Sequence, residues 1–150
     1  MFISKEFHIT TTKSLEIIDL TQEVKNFLAE HQCTNGLVNV FTKHTTATLK
    51  INELEEWFAK DLELWCDKYV PTDEFYHHND LPNRDPSTMY HDREESLDGH
   101  SHLRYLLMGA TSETIPVVDG KMQLGRWQSI LFIEMDHGKE RTVVFSFTWE

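Results

Sequence analysis

Cysteine is scarce in this chain: Cys33 and Cys66 are the only two among 150 residues. They stand far apart with no CxxC spacing, which excludes a disulfide framework and a thiolate zinc knuckle, and both read as reduced packing residues. Long apolar runs are missing too. No stretch approaches the roughly 20 residues of a membrane span, and the start, MFISKEFHIT, lacks the basic and apolar regions of a signal peptide. The expectation is a cytoplasmic protein with no membrane partner. Basic residues are also few. Fourteen Lys and Arg against 25 Asp and Glu leave a net charge of -11, which repels phosphate backbones, so nucleic acid is not an expected partner. Neither a P-loop nor a glycine-rich phosphate cradle is present.

What is there belongs to a globular chain: 39% hydrophobic and 26% charged residues. Residues 1–150 match the usual size of one domain, which buries about 70% of its unfolded surface in a single core. Histidine is abundant, at nine residues.

Glu6 to Thr10 and Ser14 to Ile18 alternate polar and apolar residues around TTK and read as a hairpin. Thr21 is placed to cap a helix with an apolar stripe at Val24, Phe27 and Leu28, ended by Asn35-Gly36. Leu37 to Phe41 and Thr45 to Ile51 read as strands. Asn52 is a good N-cap for a main helix carrying Leu54, Phe58, Leu62, Trp65 and Tyr69 at helical spacing, expected to pack on the sheet and to end before Pro71. Residues 72–100 show no period and hold eight acids, the pattern of a long functional or disordered connection. A short helix, Leu103 to Met108, follows, with Ser101 as its cap. Thr114 to Val118 then enters a type I′ turn at Asp119-Gly120, and Ile130 to Ile133 precedes a turn at Asp136-His137-Gly138. The final strand puts Val143, Phe145, Phe147 and Trp149 on one face. This order predicts an α+β fold with a largely antiparallel sheet.

Three histidine positions carry the candidate chemistry: His44 in KHTTA, a histidine of YHHND, and His102 in HSHL. Three neutral imidazoles with one open position form the ligand set of a catalytic zinc site, and imidazole also suits iron, copper or nickel. Spacing alone does not separate such a site from hydrogen-bonded or exposed histidines. His91 and His100, in the acidic stretch, read as solvated.

The segments HTTATLKINE, GHSHLRYLLMGATSETIPVVDGKMQLGRWQSI and FIEMD, in this order, resemble the YjbQ family, also known as the secondary thiamine-phosphate synthase enzyme family. The resemblance spans essentially the whole chain. It implies a small α+β protomer assembled as a homotrimer, with a metal or small-ligand pocket around three histidines at subunit contacts. Matched to that pattern, His44, His78 and His102 are the metal ligands, with His77 as the substitute for His78. The implied ion is a divalent transition metal, zinc foremost. Asn52 and Glu53 match an Asn-Glu pair and Asp61 an acid further along. Trp127, Gln128, Glu134 and Arg141 match the C-terminal block. Two departures stand out: LEEWF replaces an Asp-Pro, and HGKER replaces a GPRxR turn and is poorer in basic groups.

Each residue keeps two readings. Thr45 and Thr46 offer hydroxyls to a phosphate or water, or are simply strand formers. Glu134 is a general base near a metal-bound water, a carboxylate orienting an imidazole, or a solvated strand end. Trp127 and Gln128 line a ligand pocket or pack in the core. Arg141 grips a substrate phosphate or pairs with an acid. The acidic segment Asp73 to Asp98 is expected to shape access to the site rather than supply ligands. Two functions follow. One is a synthase that joins a pyrimidine diphosphate to a thiazole phosphate, with a metal-water hydrolase as a variant. The other is a non-catalytic trimer that binds a metal ion or a small, phosphorylated metabolite.

Overall fold

A computed structural model describes residues 1–150. Eight strands and three helices follow one another as β1 (Phe2–Thr10), β2 (Ile17–Asp19), α1 (Thr21–Glu30), β3 (Gly36–Thr42), β4 (Ala47–Asn52), α2 (Glu56–Tyr69), α3 (Gly99–Met108), β5 (Ser112–Val118), β6 (Lys121–Met122), β7 (Ser129–Glu134) and β8 (Glu140–Thr148). Every strand pair is antiparallel. Five strands form one sheet in the order β1-β8-β3-β5-β6, and three form a second in the order β2-β7-β4. The fold is α+β, as the pattern of elements predicts.

The period-2 pattern of β8 decides its place. Val143, Phe145 and Phe147 are buried, where Phe145 stacks on Phe7 at 5.4 Å and meets Phe27 edge-on at 6.0 Å. Their burial contributes about 1.5–3 kcal/mol per side chain. The main core joins this face to Leu49, Ile130 and Phe132 of the second sheet and to Val24, Phe27 and Leu28 of α1. The apolar face of the last strand is therefore covered within the protomer.

β7 is buried on both faces. Its outer face, Leu131 and Ile133, forms a smaller cluster with Leu15, Cys66 and Met135, against which Leu62, Tyr105 and Met108 pack. Helices α2 and α3 thus cover the outside of the three-stranded sheet. Arg104 of α3, only 1% exposed, ties them together by donating from Nε to the Val70 carbonyl at 3.0 Å.

Several local expectations change. No hairpin joins residues 6–10 to 14–18: β1 pairs with β8, from Phe2 with Thr148 to Thr10 with Glu140, while Ile17 pairs with Ile133 in the other sheet. Alternation assigns faces but not partners, and the nine-residue ladder with β8 is the longer one. Thr21 does not cap α1; its Oγ1 accepts from the Ile130 N–H at 2.9 Å, and the helix ends at Glu30 rather than at Asn35-Gly36. Asn52 is still in the β4 ladder opposite Ser129. The α2 cap is Glu55, whose carboxylate accepts from the Trp57 and Phe58 N–H groups at 2.8 and 2.9 Å. Of α2 only Cys66 is fully buried, and Phe58, Trp65 and Tyr69 face outward, as does Leu54, which precedes the helix rather than belonging to it. The Asp119-Gly120 turn has the two positive φ values of a type I′ hairpin, 49° and 75°.

The turn at Asp136 to Gly138 crosses from β7 in one sheet to β8 in the other. It presses on the β1–β2 connection so closely that a Cβ on Gly138 would lie 2.6 Å from the Thr12 backbone.

Candidate metal centre

His78 and His102 meet because the 77–79 turn lies against the start of α3. Gly99 permits the approach: a Cβ there would lie 2.6 Å from Cβ of Tyr76, and its N–H donates to Oδ1 of Asn79 at 2.9 Å. His102 stands four residues after Asp98, so both project from one face of the first helical turn.

Asp98 is the N-cap of α3, yet its side chain caps nothing. An aspartate there ordinarily accepts from the exposed helical N–H groups. Instead Oδ1 lies 3.3 Å from Nε2 of His78 and 3.6 Å from Nε2 of His102, and Oδ2 lies 3.9 Å from Nζ of Lys139. His78, Asp98 and His102 form a group whose donor atoms all lie within 4.8 Å of one another. Bonds of about 2.0–2.2 Å in a tetrahedral zinc site put neighbouring donors roughly 3.2–3.6 Å apart. The two carboxylate–imidazole separations, 3.3 and 3.6 Å, match that spacing.

The cluster forms part of the wall of a cavity of about 760 Å³. His44, Thr45, Thr46 and Arg141 line it from the strand side, and residues 87–90 and 93–96 from the acidic segment. Arg84 anchors that segment, donating to the carbonyls of His78 at 3.2 Å and Thr88 at 3.1 Å and approaching Glu95 at 3.6 Å. The segment thus supplies part of the cavity wall. Its last residue, Asp98, departs from the expectation by standing among the donor atoms.

His44 shares the cavity but stands beside the donor cluster. Its Nε2 accepts from the Thr142 N–H at 2.8 Å, which leaves the proton of the neutral ring on Nδ1. Burial, aided by the Arg141 charge, lowers its pKa. Burial likewise lowers the pKa of His102, against the opposing pull of Asp98. A depressed value keeps imidazole in the neutral form that ligates metals. His100, read as solvated, is buried; its Nε2 lies 3.0 Å from the Ser101 hydroxyl and its Nδ1 has no hydrogen-bond partner. His77 opens the 77–79 turn and packs edge-on against Phe75, with ring centroids 5.0 Å apart. His78, not His77, enters the cluster.

Glu134 and Arg141 are engaged with each other. Arg141 donates from Nε to the Glu134 carboxylate at 2.7 Å and again from Nη2, which also donates to Oγ1 of Thr46 at 3.1 Å. Glu134, 0% exposed, further accepts from the Thr11 hydroxyl at 2.8 Å and the Asp136 N–H at 3.0 Å. With four donors on two oxygens, the carboxylate has no lone pair free to take a proton from water, so the base reading of Glu134 falls. The ion-pair reading of Arg141 is the one observed.

Asn52, Glu53, Trp127 and Gln128 do not line this cavity. Asn52 pairs with Ser129 at one end of the β4–β7 ladder and Ala47 with Glu134 at the other, five residues or roughly 16 Å apart at about 3.3 Å per residue. Gln128 accepts the Gly125 N–H at 2.7 Å. Trp127 is 62% exposed under the Arg126 guanidinium, so neither the pocket nor the core reading holds for it within the protomer.

Lys139 had no place in the sequence argument. Its Nζ pairs with Oδ2 of Asp136, lies 3.3 Å from Oγ of Ser96, and faces the same cavity. Burial pushes the Asp136 pKa up, but hydrogen bonds from Lys139 and His137 overcome this and hold it below its ordinary value.

Fold and site together define a small antiparallel α+β protein with a two-histidine, one-carboxylate donor set on the wall of a polar cavity. The chain belongs to the YjbQ family: the model of that family, described as UPF0047 protein YjbQ-like, matches residues 5–150. A UPF0047 protein of Methanothermobacter thermautotrophicus is 36% identical over 140 residues, covering 93% of this chain and 87% of the relative. The UPF0047 protein YugU of Bacillus subtilis is 33% identical, covering 92% and 93%. Among solved structures, a hypothetical protein of Aeropyrum pernix superimposes with a TM-score of 0.83 at 31% identity, covering 99% of each chain. A YbjQ-like protein of unknown function from Sulfolobus solfataricus, at 23% identity, shares the fold with a TM-score of 0.84.

Proposed function

We propose that this protein binds one divalent transition metal, zinc foremost, through His78, His102 and Asp98, and uses it to hold a small phosphorylated ligand in the adjoining cavity. One observation carries the reading: two imidazole Nε2 atoms converge on a single oxygen of an N-cap aspartate that makes no cap. Two imidazoles and a carboxylate also suit ferrous iron, so the metal must be identified directly.

A bound cation of this kind polarises phosphoryl oxygens and stabilises a departing pyrophosphate. Around it, Lys139 and Arg84 supply positive charge at the cavity wall, His44 and Thr45 present polar groups, and residues 87–90 and 93–96 form a further part of the wall. This supports the synthase expected from the family resemblance, which joins a pyrimidine diphosphate to a thiazole phosphate. The engagement of Glu134 favours the second reading, a binding protein without turnover, over a hydrolase, because a hydrolase needs a free base there. We further propose a homotrimer. The exposed apolar side chains of α2 and α3, Trp57, Trp65, Leu106 and Leu107 among them, offer it a surface.

Elemental analysis of protein purified without a histidine tag tests the metal. One zinc or iron per chain, lost in His102→Ala and Asp98→Ala, supports the reading. A metal content unchanged by both substitutions sinks it. Turnover of the two thiamine precursors by metal-loaded protein then separates synthase from binder.

A further inference from the structure

We propose that Lys139 couples the metal centre to anion binding, serving as the counter-charge of Asp98 when the metal is absent and as the anion-binding cation when it is present. The inference rests on the metal reading above and deepens it.

The argument starts from the two carboxylates that share this ammonium. Asp136 is buried and hydrogen-bonded to Lys139, and the Oδ2 atom of Asp98 stands 3.9 Å from the same Nζ. The other oxygen of Asp98 faces both imidazoles. Asp98 is thus shared between a metal position on one side and Lys139 on the other. A cation on the imidazole side draws the negative charge of Asp98 toward itself, and Lys139 is left with Asp136 as its only full counter-ion.

Lys139 is also placed to respond. Its side chain is partly exposed to the cavity, and its third contact is a neutral hydroxyl, Ser96 Oγ at 3.3 Å. An ammonium has three donors on a flexible stem, so Lys139 can keep Asp136 and exchange Ser96 or Asp98 for an anionic oxygen. Of the other cations lining the cavity, Arg141 is neutralised by Glu134, Arg84 is held by two carbonyls and Glu95, Lys43 is paired with Glu6, and Arg93 stacks on the Tyr90 ring. Of these cations, Lys139 is the one that also stands beside the Asp98 carboxylate. The ligand class is an oxyanion, a phosphate monoester or a carboxylate, that would accept from Nζ beside the position His78, Asp98 and His102 offer a metal.

The test measures two affinities in the whole protein. Zinc is titrated against a competing chelator, and methyl phosphate is titrated into the zinc-loaded form by calorimetry, using wild type, Lys139→Met and Lys139→Arg. Removing a unit charge about 4 Å from Asp98 should raise zinc affinity about tenfold in Lys139→Met and lower methyl phosphate affinity by a similar factor. Lys139→Arg should keep both within about threefold. These opposite changes are not what general loosening of the fold would produce. If Lys139→Met fails to fold because Asp136 is left with His137 as its only charged partner, Asp136→Asn/Lys139→Met removes that charge and should still lose methyl phosphate affinity about tenfold. Normal zinc uptake with unchanged methyl phosphate affinity, or a weaker zinc site in Lys139→Met, overturns this inference alone. A wild-type protein that takes up no zinc overturns the metal reading and this inference with it.

Discussion

Asp98 and His102 stand one helical turn apart, with Oδ1 of the first 3.6 Å from Nε2 of the second. The same oxygen lies 3.3 Å from His78, which arrives from a turn about twenty residues earlier in the chain. A carboxylate at a helix N-terminus has backbone N–H groups within reach, and Asp98 declines them. This carboxylate, held away from its local partners and toward two imidazoles, is what the proposed metal site rests on.

Replacing Asp98, His78 or His102 with alanine removes one of three protein ligands, and each substitution should reduce bound zinc from about one per chain to near zero after dialysis against a weak chelator. His44→Ala should retain the metal, since its Nε2 accepts from Thr142. Plasma mass spectrometry of the four variants decides this. Metal loss in His44→Ala with retention in Asp98→Ala would restore His44 to the ligand set.

The Glu134–Arg141 pair is a structural one. Removing one member of a buried pair leaves an uncompensated charge and costs about 3–5 kcal/mol. Glu134→Gln should lower stability to urea by that order, whereas Glu134→Leu/Arg141→Met should be less destabilised than the sum of its parts. A loss below about 1 kcal/mol in Glu134→Gln would show that the pair is solvated.

Three histidines, His44, His100 and His102, have pKa values lowered chiefly by burial. The unfolded chain, with ordinary values near 6.5, binds protons that the folded chain refuses. Their contribution to stability is present above pH 6.5 and is lost as pH falls through that value toward the folded ones. The metal-free protein should therefore unfold at lower urea at pH 5.5 than at pH 7.5. Equal midpoints would contradict the assigned burial. With His102 as a ligand of the proposed metal site, retained zinc should also fall as the pH drops.

Self-association is the fourth prediction. Sedimentation equilibrium at micromolar concentration should return three times the chain mass of 17.7 kDa. Leu106→Glu/Leu107→Glu, on the exposed face of α3, should return a monomer with unchanged circular dichroism. A monomeric wild type would dismiss the trimer.

Within a single element, the order of residues was informative. Period-2 alternation located β8 and its core face, period 3.6 located α1 and its stripe, and Asp119-Gly120 announced its own turn, because side-chain direction and positive φ are local properties of the chain. The same local logic put Phe58, Trp65 and Tyr69 on a helix, and Leu54 too although it precedes the first turn, but it misjudged what they face, since periodicity describes an apolar stripe and says nothing of what covers it.

His44, His78 and His102 were visible as candidates by residue type, and family resemblance singled them out. Asp98 and Lys139 were not. Asp98 was one of eight acids in an aperiodic stretch, and it stands four positions before His102, a spacing that means proximity only once a helix is known to begin at Gly99. Lys139 reaches Asp98 through the crossover between two sheets, so its role depends on strand order rather than on neighbours in sequence.

The amino-acid sequence by itself determined the elements, the α+β class and the family, because dihedral preference, hydrophobic period and motif order are all carried within the chain. Tertiary structure alone decided which strands pair, that Glu134 is consumed by Arg141, and that His78 joins Asp98 and His102 while His44 turns to Thr142. Those outcomes depend on groups from separate elements, up to 98 residues apart for His44 and Thr142, approaching within about 4 Å, and that approach is set by how the two sheets and α3 pack around a shared core.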